Sequence, residues 1–435
     1  MNKQPLSIFW FRRDLRLHDN AGLYHALKSG VPVLPIFVFD TDILNKLSNQ
    51  EDARVSFIHQ TLSKIQEQLV QINSSILILY GNTNAIFSEL LLKYNIKEVF
   101  ANHDYEPYAI QRDESIKNIL RDKNIPFSTF KDQVIFEKEE IISANGSPYK
   151  VYTPYKNKWL SSLSSFYLKS YPTENYFQNF IKNHFFEFPS LEKIGFRKTN
   201  INIPPQIIKE EILKDYDKRR DYPSQSATSL LGIHLRFGTI SVRETAKKAQ
   251  SINPVWLNEL IWREFFMQLL FHFPYVVKEP FQPKFKHLIW RNNEKEFLLW
   301  CSGNTGYPLV DAGMRELNTT GHMHNRVRMV VASFLTKHLL IDWRWGEAYF
   351  AKHLLDYDLS ANNGNWQWSA GTGADAQPFF RIFNPYLQQE RFDPKFEYIK
   401  KWVPEYGTFD YVSPIINHKL ATDLAKEAFK KITIE

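Results

Sequence analysis

Over the first 130 or so residues, short apolar runs alternate with longer amphipathic stretches. LSIFWF (6–11), VPVLPIFVFD (31–40), SILILY (75–80) and KEVFAN (97–102) have the length and the Val, Ile and Phe content of buried strands. Between them, ARVSFIHQTLSKIQEQLVQI (53–72) and NAIFSELLLKYN (84–95) repeat their apolar residues at helical spacing. Strand and helix in alternation predict a parallel sheet covered on both faces, an α/β domain over 1–136. No G-x-G-x-x-G follows the first strand, so the usual dinucleotide fingerprint is missing.

The pattern then changes. Residues 137–205 are polar, aromatic and punctuated by proline, as in NGSPYKVYTPYKNKW and FPSLEKIGFRKTNINIPP, and predict a long connection with short helices. From 206 to 435 the periodicity is helical, in SVRETAKKAQSI, VWLNELIWREFFMQLLFHF, NRVRMVVASFLTKHLLI and WGEAYFAKHLL among others. The expected architecture is therefore an α/β domain, a connector and an all-α domain. A chain of 435 residues is too long for one core, which fits. The stretch NNGNWQWSAGTGAD (362–375) stands apart: Gly and Asn suggest a turn of permissive backbone, yet it carries two tryptophans.

Composition narrows the class. Apolar content of 43% with 23% charged residues is that of a folded chain. The single cysteine, Cys301, excludes an internal disulfide and suits a reducing cytoplasm. The apolar run in MNKQPLSIFWFRRDLRL is short and charge follows it at once, so neither a secretory signal nor a membrane span is expected. A net charge of +7 suits a polyanionic partner. Aromatic content of 15%, with 11 Trp and 34 Phe, provides either a large aromatic core or stacking surfaces for planar ligands.

Four segments carry candidate chemistry. In WLNELIWREFF, Trp256, Glu259 and Arg263 recur at i, i+3 and i+7 and share a face, with Trp262 close by. An internal Glu–Arg pair beside buried aromatics is the plainer reading. In GHMHNRVRM, Asn325 and Arg326 lie in the opening turns of a helix, where donors suit a phosphate or carboxylate. His322 and His324 sit two apart and point away from each other on a helix, so no metal site is expected there. In LLDYDLSANNG, Asp356 and Asp358 follow a helix as caps, or as acceptors for ring N–H groups or an arginine. In SATSLLGIHLRFGTIS, Thr228 and Ser229 read as hydroxyl caps of a helix start able to take a phosphate.

Taken together, FWFRRDLRLHDN, TSLLGIHLRFGTIS, WLNELIWREFF, GYPLVDAGMRELNTTGHMHNRVRM, FLTKHLLIDWRWGEAYF and DYDLSANNGNWQWSAGTGADAQPFFRIFNP resemble the photolyase/cryptochrome flavoproteins, in that family's order and over nearly the whole chain. The sub-family most similar is the class I cyclobutane pyrimidine dimer photolyases.

The resemblance implies an antenna domain, a connector and a helical domain holding folded-up FAD. It implies that Tyr216, Thr228, Ser229, Leu230, Leu231 and Gly232 contact the diphosphate and ribose. Trp256 and Arg263 belong to the flavin-site helix with Glu259. Asp356, Tyr357 and Asp358 run along the isoalloxazine, Arg328 pairs with Asp356, and Asn362 lies beside flavin N5. Trp366, Trp343 and Trp290 match a chain that carries electrons from the surface to oxidised flavin. Trp262 and Trp368 match aromatic walls for an extruded dimer. Arg220, Asn325, Arg326 and Gln388 match DNA-facing positions, and Met329 the dimer pocket.

The implied activity is light-driven repair. Excited, reduced, anionic FAD lends an electron to the flipped-out dimer, the ring opens, and the electron returns. Glu259 is expected to hold a proton and hydrogen-bond the dimer. UV-damaged DNA is the expected partner, with no obligatory protein partner and no metal, for a cytoplasmic monomer. A second antenna chromophore is left open between a methenyl-folate, a deazaflavin, another flavin and none. His322 stands where bacterial members often carry Trp, and Asn365 replaces a glycine of some members. Two rivals remain. Plant-type sensor cryptochromes tend to have Asp where this chain has Asn362, and (6-4) photoproduct enzymes carry a different version of the MHNR block.

Overall fold

The computed structural model describes residues 4–433. Five strands form a parallel sheet in the order β3-β2-β1-β4-β5: β1 (Pro5–Phe11), β2 (Val33–Asp40), β3 (Leu77–Gly81), β4 (Asn95–Asn102) and β5 (Phe127–Phe130). β1 is central and its register pairs Ile8 with Leu34 and with Val99. β2 is buried along its whole length, as a strand covered on both faces must be. Helices Ala21–Lys28, Ala53–Val70 and Thr83–Lys93 each begin at a side-chain cap, on Asn20, Asp52 and Asn82. β5 has no counterpart among the expected strands: FSTF is short, half-buried and half polar, so no apolar run marks it.

The chain folds into two compact units whose members interleave. One takes residues up to 140 with 162–207 and 231–250; the other takes 141–161, 208–230 and 251 onward. The boundaries expected at 136 and 205 are thus corrected in two ways. The connector divides between the units, and 231–250 packs with the sheet rather than with the helical part. A buried ion network holds it there. Arg243 donates to Asp19 Oδ1 at 3.0 Å and to Asp132 Oδ1 at 2.8 Å, and Arg16 donates to Asp132 at 2.8 Å. Ser241 also donates to Asp19. Two carboxylates and two guanidiniums out of water are tolerable only when fully paired.

Among the described residues the second unit is helical throughout, and no helix is long and apolar enough to cross a membrane. One large core gathers Trp300, Tyr307, Phe334, Trp343, Phe350 and Trp366. The Gly/Asn stretch is the main departure from expectation. Residues 359–370 are not a turn but a helix, Leu359–Ala370, started by the Asp358 carboxylate accepting from the amides of Ser360 and Ala361 and stopped at Gly371 with φ +80°. Gly364 is there for packing. A Cβ at that position would lie 2.1 Å from the Phe266 ring of helix Pro254–His272.

The same helix ends on a buried lysine. Lys337, in the π-helical turn Phe334–His338, donates to the Ala370 carbonyl at 2.7 Å and sits 3.5 Å from the Phe429 ring centre. Burial pushes its ammonium well below the usual lysine range.

Two outcomes follow from this packing. In an open helix, Gly→Ala raises stability by about 0.5–1 kcal/mol. Gly364→Ala is expected to lower it by roughly 1–3 kcal/mol through overpacking, read by denaturant unfolding. An unchanged or higher midpoint would overturn the packing role. For Lys337 the folded state releases a proton that the unfolded chain keeps, so stability gains with pH up to the free lysine value of about 10.4. The melting temperature of the natural protein, relative to Lys337→Met, should therefore climb between pH 7 and 10. A constant difference would show that Lys337 titrates normally.

Candidate functional site

Helix Pro254–His272 starts at Asn253, whose side chain accepts from the Val255 amide at 2.9 Å, with Pro254 in the first turn. It carries Trp256, Glu259, Trp262 and Arg263. Trp256 is buried, while Trp262 and Arg263 are half-buried. Trp262 stacks face to face on Tyr152, with ring centres 3.5 Å apart and planes 7° from parallel. Tyr152 donates from its hydroxyl to the Asn258 carbonyl at 3.0 Å, which fixes the stack to the helix. Tyr152 lies in the stretch read as connector and was not expected at a site; Tyr152 and Tyr155, three apart and both buried on helix Tyr152–Ser162, are the signal it offered.

Glu259 does not pair within its own helix as the plainer reading held. Its partner is Arg220, which follows the short helix Tyr216–Arg219 and lies over the Tyr216 ring at 5.3 Å. Burial pushes the Glu259 carboxyl up, Arg220 pulls it down, and Asp221 adds to the rise; the balance is upward. Tyr152 and Tyr216 are both raised, by burial first and by Glu259 second.

Arg326 is likewise held. It donates to Asp221 at 2.7 Å and sits 4.3 Å from the Phe392 ring centre. Helix Asn325–Ser333 begins at His324, whose Nδ1 accepts from the Arg326 amide at 3.2 Å. Burial pushes that imidazole down to about 4, against the pull of Glu316. A neutral ring is what a cap that accepts through Nδ1 requires. His322 lies 3.7 Å from Glu316, which also accepts from Tyr398 at 2.6 Å. Asn325 is exposed, Met329 half-buried, and the half-buried Gln388 keeps a buried side-chain oxygen with no partner.

A second group forms around helix Leu359–Ala370. Arg328 donates to Asp356 at 2.9 and 3.2 Å, the expected pair, and its Nε donates to the Met323 carbonyl at 2.7 Å. Tyr357 packs against the large core. Asn362 is buried and donates to Glu347 Oε1 at 2.8 Å and to the Glu347 carbonyl at 3.1 Å. Burial raises the Glu347 carboxyl while Asn362 lowers it. Glu347 was missed because it reads as one more polar position in WGEAYF. Asn363 turns the other way and donates to the Val276 carbonyl at 3.0 Å.

Trp366 and Trp368 lie two residues apart on this helix and so point to nearly opposite sides. Trp366 is buried and Trp368 half-buried. The Trp366 indole lies over Gly346, where a Cβ would meet it at 2.1 Å, one turn beyond Trp343. Trp343 is fully enclosed, and Trp290 is half-buried at the border of the same core. Trp366 and Trp343 thus belong to the core and Trp290 packs at its edge.

Thr228 and Ser229 are not caps, contrary to expectation. Within the second unit they are half-buried, their hydroxyls make no hydrogen bond among the described residues, and Leu230 turns left-handed at φ +53°. In the first unit, Leu231 precedes helix Gly232–Arg236, whose N-terminus has no side-chain cap. Unbonded hydroxyls on Thr228 and Ser229 are donors of the kind a phosphate can use.

Comparison with known proteins agrees. Residues 256–411 match the model of the FAD binding domain of DNA photolyase, and residues 7–175 match that of DNA photolyase. A deoxyribodipyrimidine photo-lyase of a Synechococcus strain is 34% identical, over 98% of this chain and 96% of its own. A class III photolyase of Agrobacterium tumefaciens superimposes with a TM-score of 0.88 at 33% identity, covering 100% and 99% of the two chains. A Synechocystis cryptochrome superimposes at 0.86 with 25% identity, covering 98% and 100%. With both family models matched and relatives alike from end to end, this chain belongs to the FAD-binding DNA photolyase family.

Proposed function

We propose that this protein repairs cyclobutane pyrimidine dimers in DNA with blue light, acting as a cytoplasmic monomer without an obligatory protein partner. The observation that supports it best is the group on helix Pro254–His272: a half-buried carboxyl, Glu259, paired with Arg220, and three residues on an indole, Trp262, stacked on Tyr152. A damaged, poorly stacked step costs less to extrude than intact bases, and Trp262 and Trp368 offer it aromatic walls. Arg220, Asn325, Arg326 and Gln388 meet the DNA, with backbone contacts that carry no sequence preference, and Met329 packs on the lesion.

Thr228, Ser229, Leu230, Leu231, Gly232 and Tyr216 hold the diphosphate and ribose of FAD. Trp256, Arg263, Arg328, Asp356, Tyr357 and Asp358 surround the ring system. Asn362, oriented by Glu347, would lie beside its N5. The chemistry supplied by bound, reduced FAD is an electron lent under light and recovered when the ring has opened. Trp290, Trp343 and Trp366 would carry electrons inward to restore the reduced form of bound FAD. The first unit, 1–136 in its core, has the antenna role.

The deciding assay is loss of a thymine dimer from an irradiated oligonucleotide by purified, reduced protein, in light and in darkness. Loss in light alone is the expected result. Bound FAD without dimer loss would move the reading to a (6-4) lesion or to a photosensor, the latter favoured by the likeness to a cryptochrome. Trp343→Phe should suppress photoreduction of oxidised flavin at least tenfold while sparing repair by chemically reduced protein. Equal loss of both would remove Trp343 from the electron path.

A further inference from the structure

The Trp262 side chain makes no hydrogen bond among the described residues, so packing alone sets the plane of its indole. Three rings touch it. Phe265 lies at 5.7 Å and 78°, Phe266 at 5.5 Å and 26°, and both belong to its own helix, Pro254–His272. Tyr152 is the ring that reaches it from another element, and at 3.5 Å it is the nearest of them. Tyr152 is itself tied down from backbone to ring tip. Its amide donates to Asp375 Oδ2 at 3.1 Å, and its hydroxyl donates to the Asn258 carbonyl at 3.0 Å. Its ring meets the buried Phe265 ring at 72°, with centres 5.8 Å apart. Tyr152 is 7% exposed, whereas Trp262 is half-buried. A ring so tied does not swing aside, so the reachable surface of the pair is that of the indole.

We propose that Tyr152 is a positioning residue for damage recognition: it backs the Trp262 indole, so that the wall offered to an extruded dimer is in place before DNA binds. The inference deepens the repair reading and rests on it. An indole without a hydrogen bond and without its backing ring turns about its side-chain torsions. Binding must then re-order it, and that ordering is subtracted from affinity. Contacts to the DNA backbone do not pass through Trp262, so the loss falls on damaged DNA and spares intact duplex. The amide bond to Asp375 carries the same logic further. Asp375 lies in the loop that follows helix Leu359–Ala370, which bears Trp368. The start of helix Tyr152–Ser162 is thereby joined to the elements of both aromatic walls.

The test is a double-mutant cycle on DNA affinity, read by fluorescence anisotropy with the FAD-loaded full chain in darkness. The probes are a labelled duplex with one thymine dimer and its undamaged counterpart. Tyr152→Leu should raise the lesion Kd about threefold to tenfold and leave the undamaged Kd unchanged. Tyr152→Phe keeps the stacked ring and should stay within about twofold of the natural protein. In a Trp262→Leu background, Tyr152→Leu should change nothing further, because a residue that acts through the indole has no effect once the indole is gone. Additive losses in the double variant overturn the positioning role. A lower lesion Kd in Tyr152→Leu also overturns it, by making Tyr152 a cover that the lesion displaces. So does a Tyr152→Phe loss equal to that of Tyr152→Leu, which assigns the effect to the hydroxyl. Preference for damaged DNA untouched by Tyr152→Leu rejects the inference and leaves the repair reading standing. Equal affinity of the natural protein for both duplexes would instead sink the repair reading. Should Tyr152→Leu not retain FAD, Tyr152→His, whose smaller ring covers less of the indole, takes its place in the same cycle and the coupling still decides.

Discussion

How closely two helices can approach governs the second unit. Helix Leu359–Ala370 lies so near helix Pro254–His272 that no side chain beyond hydrogen fits at position 364 against Phe266. Trp262, Glu259 and Trp256 ride on one of them, and Asn362, Trp366 and Trp368 on the other. A spacing set by backbone against ring cannot drift as a contact between two flexible side chains can. The approach repeats on the far side, where Gly346 admits the Trp366 indole. Glycine in these helices trades intrinsic helix propensity for position, a local conflict of the kind that collects at functional sites.

That conflict also marks what could be read from the residues alone. β1 to β4 were legible because buried parallel strands are uniform apolar runs. The helical character of the later chain was legible from its period. Residues 362–375 were misread because Gly and Asn argue against a helix locally, and what overrides them, the Asp358 cap and the face of Phe266, is tertiary. The membership of 231–250 was hidden for the same reason. Arg243 meets Asp19 across 224 residues, and no local pattern announces such a pair.

At the site, residue types were legible and partnerships were not. Arg328 with Asp356 followed from the family resemblance and is present. Glu259 with Arg220, Asn362 with Glu347 and Trp262 with Tyr152 join separate elements and needed coordinates. Each of these partners belongs to a segment that reads as ordinary surface or connector. Orientation of a reactive group is commonly the work of a neighbour with no signature of its own.

The threading of the chain has a consequence for its birth. The polypeptide passes between the two units at 140/141, 161/162, 207/208, 230/231 and 250/251. Synthesis delivers the amino end first, and domains ordinarily fold as they emerge. Here Asp19 leaves the ribosome long before Arg243, its guanidinium partner, and a buried carboxylate lacking its counter-ion is strongly unfavourable, whereas Asp132 already has Arg16. The sheet-bearing unit therefore cannot mature vectorially. It waits until two segments of its neighbour have also been translated, and no single cut of the chain releases either unit as a continuous piece.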